Sequence, residues 1–196
     1  MKKVFVFVIA AVSLLLCETR MSAQASLGIQ ANVRAYTAAD ASGDNIILSA
    51  GVPGVGISFQ KDFKLIPILG FSVGIDAGYY KTDAFNEVPD QEFTAIYAEV
   101  PLRLRVMLPI GSRFALYAFA GPVASYAPSM KFTHDGVQSN WDIKPFGLMA
   151  GGGVGIDINH IRLTVSYDQG VTNLYKTGDD ALFNGMLKFT GAWKFF

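Results

Sequence analysis

The chain alternates apolar and polar residues with a period of two, again and again, in segments of about ten residues separated by polar, turn-rich stretches. That period places neighbouring side chains on opposite faces of a strand, whereas a helix face repeats every 3.6 residues. Beyond the first 25 residues, nothing approaches the roughly 18 consecutive apolar residues of a transmembrane helix. Half of the 196 residues are apolar (51 %) and only 16 % are charged. This excludes a disordered chain, which needs low hydrophobicity and high net charge. A formal net charge of 0 offers no basic face to nucleic acid. A soluble domain this apolar needs an unusually large core. The other solution is a sheet closed on itself with lipid against its outer face.

Residues 1–25 read as a secretory signal peptide, with Lys2 and Lys3 ahead of an apolar run from Val4 to Leu16 and a small-x-small site at Ala23-Gln24-Ala25. Cleavage after Ala25 leaves a domain of residues 26–196, with thirteen basic and fifteen acidic side chains. It also removes Cys17, the single cysteine, and with it any disulfide or thiolate metal site. A lipoprotein reading of Cys17 fails on Leu16, where such a signal carries a small residue.

Eight segments follow. The first, 26–37, sets Leu27, Ile29, Ala31 and Val33 against Gln30, Asn32, Arg34 and Tyr36. The second, 47–61, contains Pro53, which cannot donate to a ladder, so only its second half reads cleanly. The third, 67–81, alternates Leu69, Phe71, Val73, Ile75, Ala77 and Tyr79 with Gly70, Ser72, Gly74, Asp76, Gly78 and Tyr80. The fourth, 92–107, sets Ile96, Val100, Leu102, Leu104 and Val106 against Tyr97, Glu99, Arg103 and Arg105. The fifth, 113–126, is apolar on both parities; Phe114, Leu116, Ala118, Ala120 and Ala124 are assigned outward, with Gly121 inside. The sixth, 143–158, opposes Val154 and Ile156 to Gly151, Gly153, Gly155 and Asp157. The seventh, 160–168, turns Leu163, Val165 and Tyr167 outward and Arg162, Thr164, Ser166 and Asp168 inward. The eighth ends the chain, with Leu187, Phe189, Trp193 and Phe195 opposite Lys188, Thr190 and Lys194.

The connections alternate in length. Short ones, 62–66, 108–112 and 159–160, follow segments two, four and six; long polar ones, such as 128–141 and 169–183, follow the others. Bacterial outer-membrane barrels pair short periplasmic turns with longer extracellular loops and use even strand numbers. The terminal Trp193, Phe195 and Phe196 fit an interfacial aromatic belt and an assembly signal on the last strand. Phe196 falls on the inward parity, unlike its two neighbours in this set.

Four of the segments resemble a known family. Ala98-Glu99-Val100-Pro101-Leu102-Arg103-Leu104 is similar to the E-(I/V)-P-L-L-L segment of PorT-like outer-membrane β-barrel proteins. Phe119-Ala120-Gly121-Pro122 resembles the family's next-strand Gly-Pro motif, and the run Gly147 to Val154 its glycine-rich sixth strand. The run Tyr167 to Leu174 resembles its Y-x-x-G-(L/V)-x-N-(I/L) segment. The resemblance implies an integral barrel in the cell outer membrane of a Gram-negative bacterium. The founding member takes part in secretion of surface proteases, and that role does not carry over.

Catalytic and metal chemistry is sparse. His134, Asp135 and Ser139 share a loop and invite a Ser-His-Asp reading, but no rigid element brings them together. His160 sits in a turn at the opposite end, so no histidine pair has zinc-ligand spacing. Asp40, Ser42, Asp44 and Asn45 lack the distal glutamate of an EF-hand and are ordinary turn residues. Gly151 to Gly155 has no following lysine and helix, as a phosphate loop requires; glycines here make room across a narrow lumen.

The constellation with physical content is the inward charge set: Arg34, Asp76, Glu99, Arg103, Arg105, Asp157, Arg162 and Lys188. Unpaired charges inside a barrel are expensive, so these are expected to meet one another. The reading is all-β, an eight-stranded antiparallel transmembrane barrel of the small OmpA/OmpX type, without cofactor or metal. Its expected role is structural or surface-interactive, as a monomer rather than an enzyme. Expected partners are outer-membrane lipid and lipopolysaccharide, the barrel assembly machinery, and an extracellular or envelope protein. The alternatives are a narrow porin-like channel for small solutes and a lipid-modifying enzyme.

Overall fold

The computed structural model describes residues 23–39, 45–82, 91–111, 113–134, 137–140, 144–174 and 181–195. Every segment reads as strand: β1 (Ala23–Ala39), β2 (Asn45–Ile66), β3 (Leu69–Thr82), β4 (Gln91–Ile110), β5 (Phe114–His134), β6 (Val137–Asn140), β7 (Phe146–Ile158), β8 (Ile161–Gly170) and β9 (Ala181–Phe195). Each pairs antiparallel with its neighbour, in the order β4-β3-β2-β1-β9-β8-β7-β5, and β4 pairs β5 to close the ring. Eight strands form the wall. The ninth, β6, pairs with the far end of β5 and extends that wall as a short hairpin.

The registers fix how narrow the barrel is. From Ile29, the pairings run one way through Ile57 and Ala77 to Ala98 on β4. The other way they pass Gly191, Leu163, Ile156 and Leu116 and arrive at Leu108, ten residues further along the same strand. With eight strands, that stagger tilts them by about 40° and leaves an interior that side chains can fill.

Most strands outrun the sequence-based bounds. The stretch 62–66, read as a connection, continues β2, and the turn is Pro67-Ile68. The stretch from Pro128, read as loop, continues β5 to His134 and returns as β6. Pro53 sits just outside the part of β2 that β3 pairs with, which begins at Gly54, so its missing donor removes no bond to β3. Close by, β2 carries one extra residue between the pairs Arg34–Val52 and Tyr36–Ser49. Gly51 takes φ +87° there, the left-handed geometry that a bulge often gives to glycine.

The outer face is a belt of exposed Leu, Ile, Val and aromatic side chains on every wall strand. The outward assignments of Leu116, Ala118 and Ala120 on β5 hold. Ala124, expected to be exposed on the same face, is covered: a methyl in register between Val100 and Leu148. Val73, also expected to face lipid, is fully covered by a cluster with Phe63, Phe71, Val100 and Leu102 on that face.

Leu104 and Val165 are the open mid-strand positions, 55 % and 41 % exposed. Arginine at either is expected to lower unfolding free energy in lipid by about 2–4 kcal/mol. Denaturant titration of the barrel in vesicles measures this; an unchanged midpoint for both variants would mean that the faces are inverted.

Candidate functional site: the filled lumen

Inward side chains converge because strand alternation leaves them nowhere else to go, and they sort into three layers along the axis. At the tight-turn end, Asp62 of β2 meets Arg105 of β4 and, at 2.6 Å, Arg162 of β8. The Arg162 guanidinium also grips Asp157 through Nε (2.8 Å) and Nη2 (3.0 Å), and Lys194 approaches the same carboxylate at 3.2 Å. Gln60 donates to Asp62 at 2.7 Å. Tyr117 lies under both arginines, its ring centre 4.2 Å from Arg105 and 5.3 Å from Arg162, and its hydroxyl meets Thr164.

The middle layer is a continuous chain of ions. Arg103 donates from one nitrogen to both oxygens of Asp168 at 3.0 Å. Lys188 reaches Asp168 (3.0 Å), Glu99 (2.5 Å) and Asp76 (3.3 Å). Glu99 also accepts from Arg34 at 2.8 Å, and Ser58 donates to Asp76 at 2.7 Å. Ammonium and guanidinium donors to carboxylates at these distances are charge-assisted bonds, roughly twice as strong as neutral ones. Desolvating the ions offsets much of that gain, so the network fixes positions more than it adds net stability.

Above it the lumen turns apolar. Arg34 lies 4.5 Å from the ring of Tyr80 and 5.4 Å from that of Tyr97, which stack on each other. Beyond them, Tyr36, Val52, Phe93, Val123, Met130, Met149, Leu182 and Met186 form one buried cluster. Tyr80 donates to the Met186 sulfur at 2.7 Å. This plug closes the long-loop end.

Glycines let the large rings lie flat against the wall. A Cβ on Gly155 would enter the Tyr117 ring, and one on Gly78 the Tyr97 ring. The run Gly151 to Gly155 lies within β7.

All eight charges expected inward are buried and ion-paired. The network is larger than the sequence reading had it, because Asp62, Asp168 and Lys194 belong to it as well. Asp62 had a legible signal: Ser58, Gln60 and Asp62 continue the inward parity of β2. The apolar plug was not anticipated.

Trp193 and Phe195 face outward on β9; Trp193 stacks against His160 of the β7–β8 turn with ring centres 5.5 Å apart. Phe196, Asp135, Asp40, Ser42 and Asp44 lie outside the described residues. His134 pairs with Val137, and Ser139 with Phe132, on the β5–β6 hairpin. Among the described residues no group of three or more His, Cys, Asp or Glu could hold a metal ion.

Glu99→Ala leaves both Arg34 and Lys188 short of a partner and is expected to destabilise the barrel by about 3–5 kcal/mol. Glu92→Ala breaks the half-exposed pair with Lys81 and a long, 3.3 Å bond from the Thr94 hydroxyl, and is expected to cost below about 1 kcal/mol. Parallel unfolding titrations separate the two; equal small effects would remove the lumen pair from the structure's supports.

Residues 8–195 match a family described as outer membrane protein beta-barrel domain. No curated protein is a significant match. Similar solved structures include Ail of Yersinia pestis in complex with the heparin analogue sucrose octasulfate, 14 % identical, covering 89 % of this chain and 100 % of Ail at a TM-score of 0.47. Neisserial surface protein A is 16 % identical, covering 86 % and 97 % of the two chains at 0.47. The outer membrane protease OmpT of Escherichia coli is 8 % identical, covering 88 % and 96 % at 0.40.

Proposed function

This chain belongs to the outer membrane protein beta-barrel domain family, and we propose that it serves there as a closed, non-enzymatic scaffold that displays its long connections to a partner at the cell surface. The observation that carries this reading is the filled lumen. From Asp62 to Met130 each layer is occupied by paired ions or packed rings and thioethers, and a barrel whose axis is occupied has its ends left for contact. The four links between wall strands at the plugged end are the longer ones, 40–44, 83–90, 135–145 with β6 inside it, and 171–180, against tight turns at 67–68, 111–113 and 159–160. In outer-membrane barrels the longer set faces outward. Lipid and lipopolysaccharide cover the belt, the assembly machinery inserts the monomer, and an extracellular or envelope protein meets the loops.

The finer placement among PorT-like barrels rests on the segments around Glu99, Gly121, Gly147 and Tyr167. Processing after Ala25 belongs to the same proposal and leaves Ser26 still paired with Gln60 and Lys194. The non-enzymatic reading predicts that a His134→Ala, Ser139→Ala double variant leaves the membrane lipid profile unchanged; an altered profile would favour the lipid-modifying alternative.

Planar-bilayer recording tests closure. The unmodified barrel is expected to give no large steady conductance, and a sustained open level would favour the channel instead. Cysteine labelling tests orientation. Cysteine at Gly43, Asn86 or Gly178 is expected to react with an impermeant reagent on whole cells, and cysteine at Ile68 or Arg113 only after lysis. The reverse pattern would turn the barrel over.

A further inference from the structure

The tight-turn mouth of the lumen holds a cavity of about 620 Å³. Its lining carries five cations, Lys64, Arg105, Arg113, Arg162 and Lys194, against two acids, Asp62 and Asp157. The acids are already committed. Asp62 is shared by Arg105 and Arg162, and Asp157 by Arg162 and Lys194. Arg105 is 95 % buried, with only 5 % of its surface exposed. One terminal nitrogen faces Asp62 and its plane lies on Tyr117, yet Nε and Nη2 have no hydrogen-bond partner. A buried guanidinium with two idle donors is a strong demand for an acceptor, because such groups are normally bonded. Over the buried charges of the lumen the balance runs the same way, six bases to five acids. The surplus is positive.

We propose that this mouth binds an oxyanion. The fork of a guanidinium matches two oxygens of a phosphate or carboxylate, and the exposed Arg113 and Lys64 stand at the entrance to draw the anion in. Besides Gln24 and Asn159, the rest of the wall is apolar, with Ile66, Met107, Pro109 and Phe114 beside the cations. The same site therefore accepts a free oxyanion or one carried on an apolar body, as in an amphiphile's headgroup. It lies at the opposite end from the proposed surface loops and does not depend on that reading.

The test uses the full barrel, labelled with ¹⁵N and folded in a zwitterionic detergent, titrated separately with inorganic phosphate and with hexyl phosphate. Chloride at matched ionic strength is the control. The Arg105 Nε–H and the backbone amides of Gly111 and His160 are expected to shift saturably, with a Kd of about 10 mM or tighter. Tighter binding of hexyl phosphate assigns an amphiphile, and equal binding a free oxyanion. Both support the site. Arg105→Gln is expected to abolish the shifts. Should that variant not fold, Arg113→Gln with Lys64→Gln, both on exposed side chains, is expected to weaken binding by about tenfold. Shifts that chloride reproduces, no saturation by about 50 mM, or undiminished binding in the Arg113–Lys64 variant would overturn the proposal.

Discussion

Closure is the constraint on which the rest of the molecule depends. A strand edge facing lipid leaves backbone N–H and C=O groups without water to satisfy them, at several kcal/mol each. The ring is therefore shut on both sides, by β1 with β9 and by β4 with β5. With eight strands and a ten-residue stagger, shutting it leaves a bore as wide as the side chains that point inward. Everything inside follows. Tyr117 and Tyr97 fit because glycines face them, at Gly155 and Gly78, and charges are tolerated only where another strand supplies the opposite sign.

The sequence carried the wall well and the filling unevenly, for physical reasons that differ between strands. Third, fourth and seventh segments alternate sharply because one face meets lipid and the other meets ions or water-seeking groups, so parity alone assigns Asp76, Glu99, Arg103 and Arg162. β5 does not alternate because both of its faces are apolar: Leu116, Ala118 and Ala120 outward, Phe119, Val123, Ala127 and Met130 into the lumen. Its ambiguity was itself the signature of the plug. Asp62 reads as the start of a turn because aspartate is also a turn former, whereas the turn lies five residues on at Pro67. Covered positions such as Val73 and Ala124 follow from neighbouring strands in register, which one strand's pattern does not contain.

The two ends of the bore are chemically opposite. One is lined by arginine, lysine and aspartate, the other by tyrosine, methionine, leucine and valine. Between them, Arg34 touches both regimes, bonded to Glu99 on one side and lying over aromatic rings on the other. A guanidinium suits that border because it is weakly hydrated and stacks on aromatic faces, which an ammonium does less well.

Glu99 is bonded to Arg34 on β1 and to Lys188 on β9, the first and last strands of the chain, and it reaches them from β4 on the opposite wall. Those two strands meet at the seam where the sheet becomes a ring. In an open or half-zipped sheet, Glu99 cannot reach both, so an ion pair is lost near hydrocarbon, while Lys188 keeps only Asp168 on the neighbouring β8. Partly closed forms therefore carry a penalty that both the starting sheet in water and the finished ring escape. The carboxylate acts as a cross-bore latch that couples completion of the seam to a contact far away in sequence. Barrel closure is thereby made cooperative by chemistry in its interior, in addition to the hydrogen bonds of its wall.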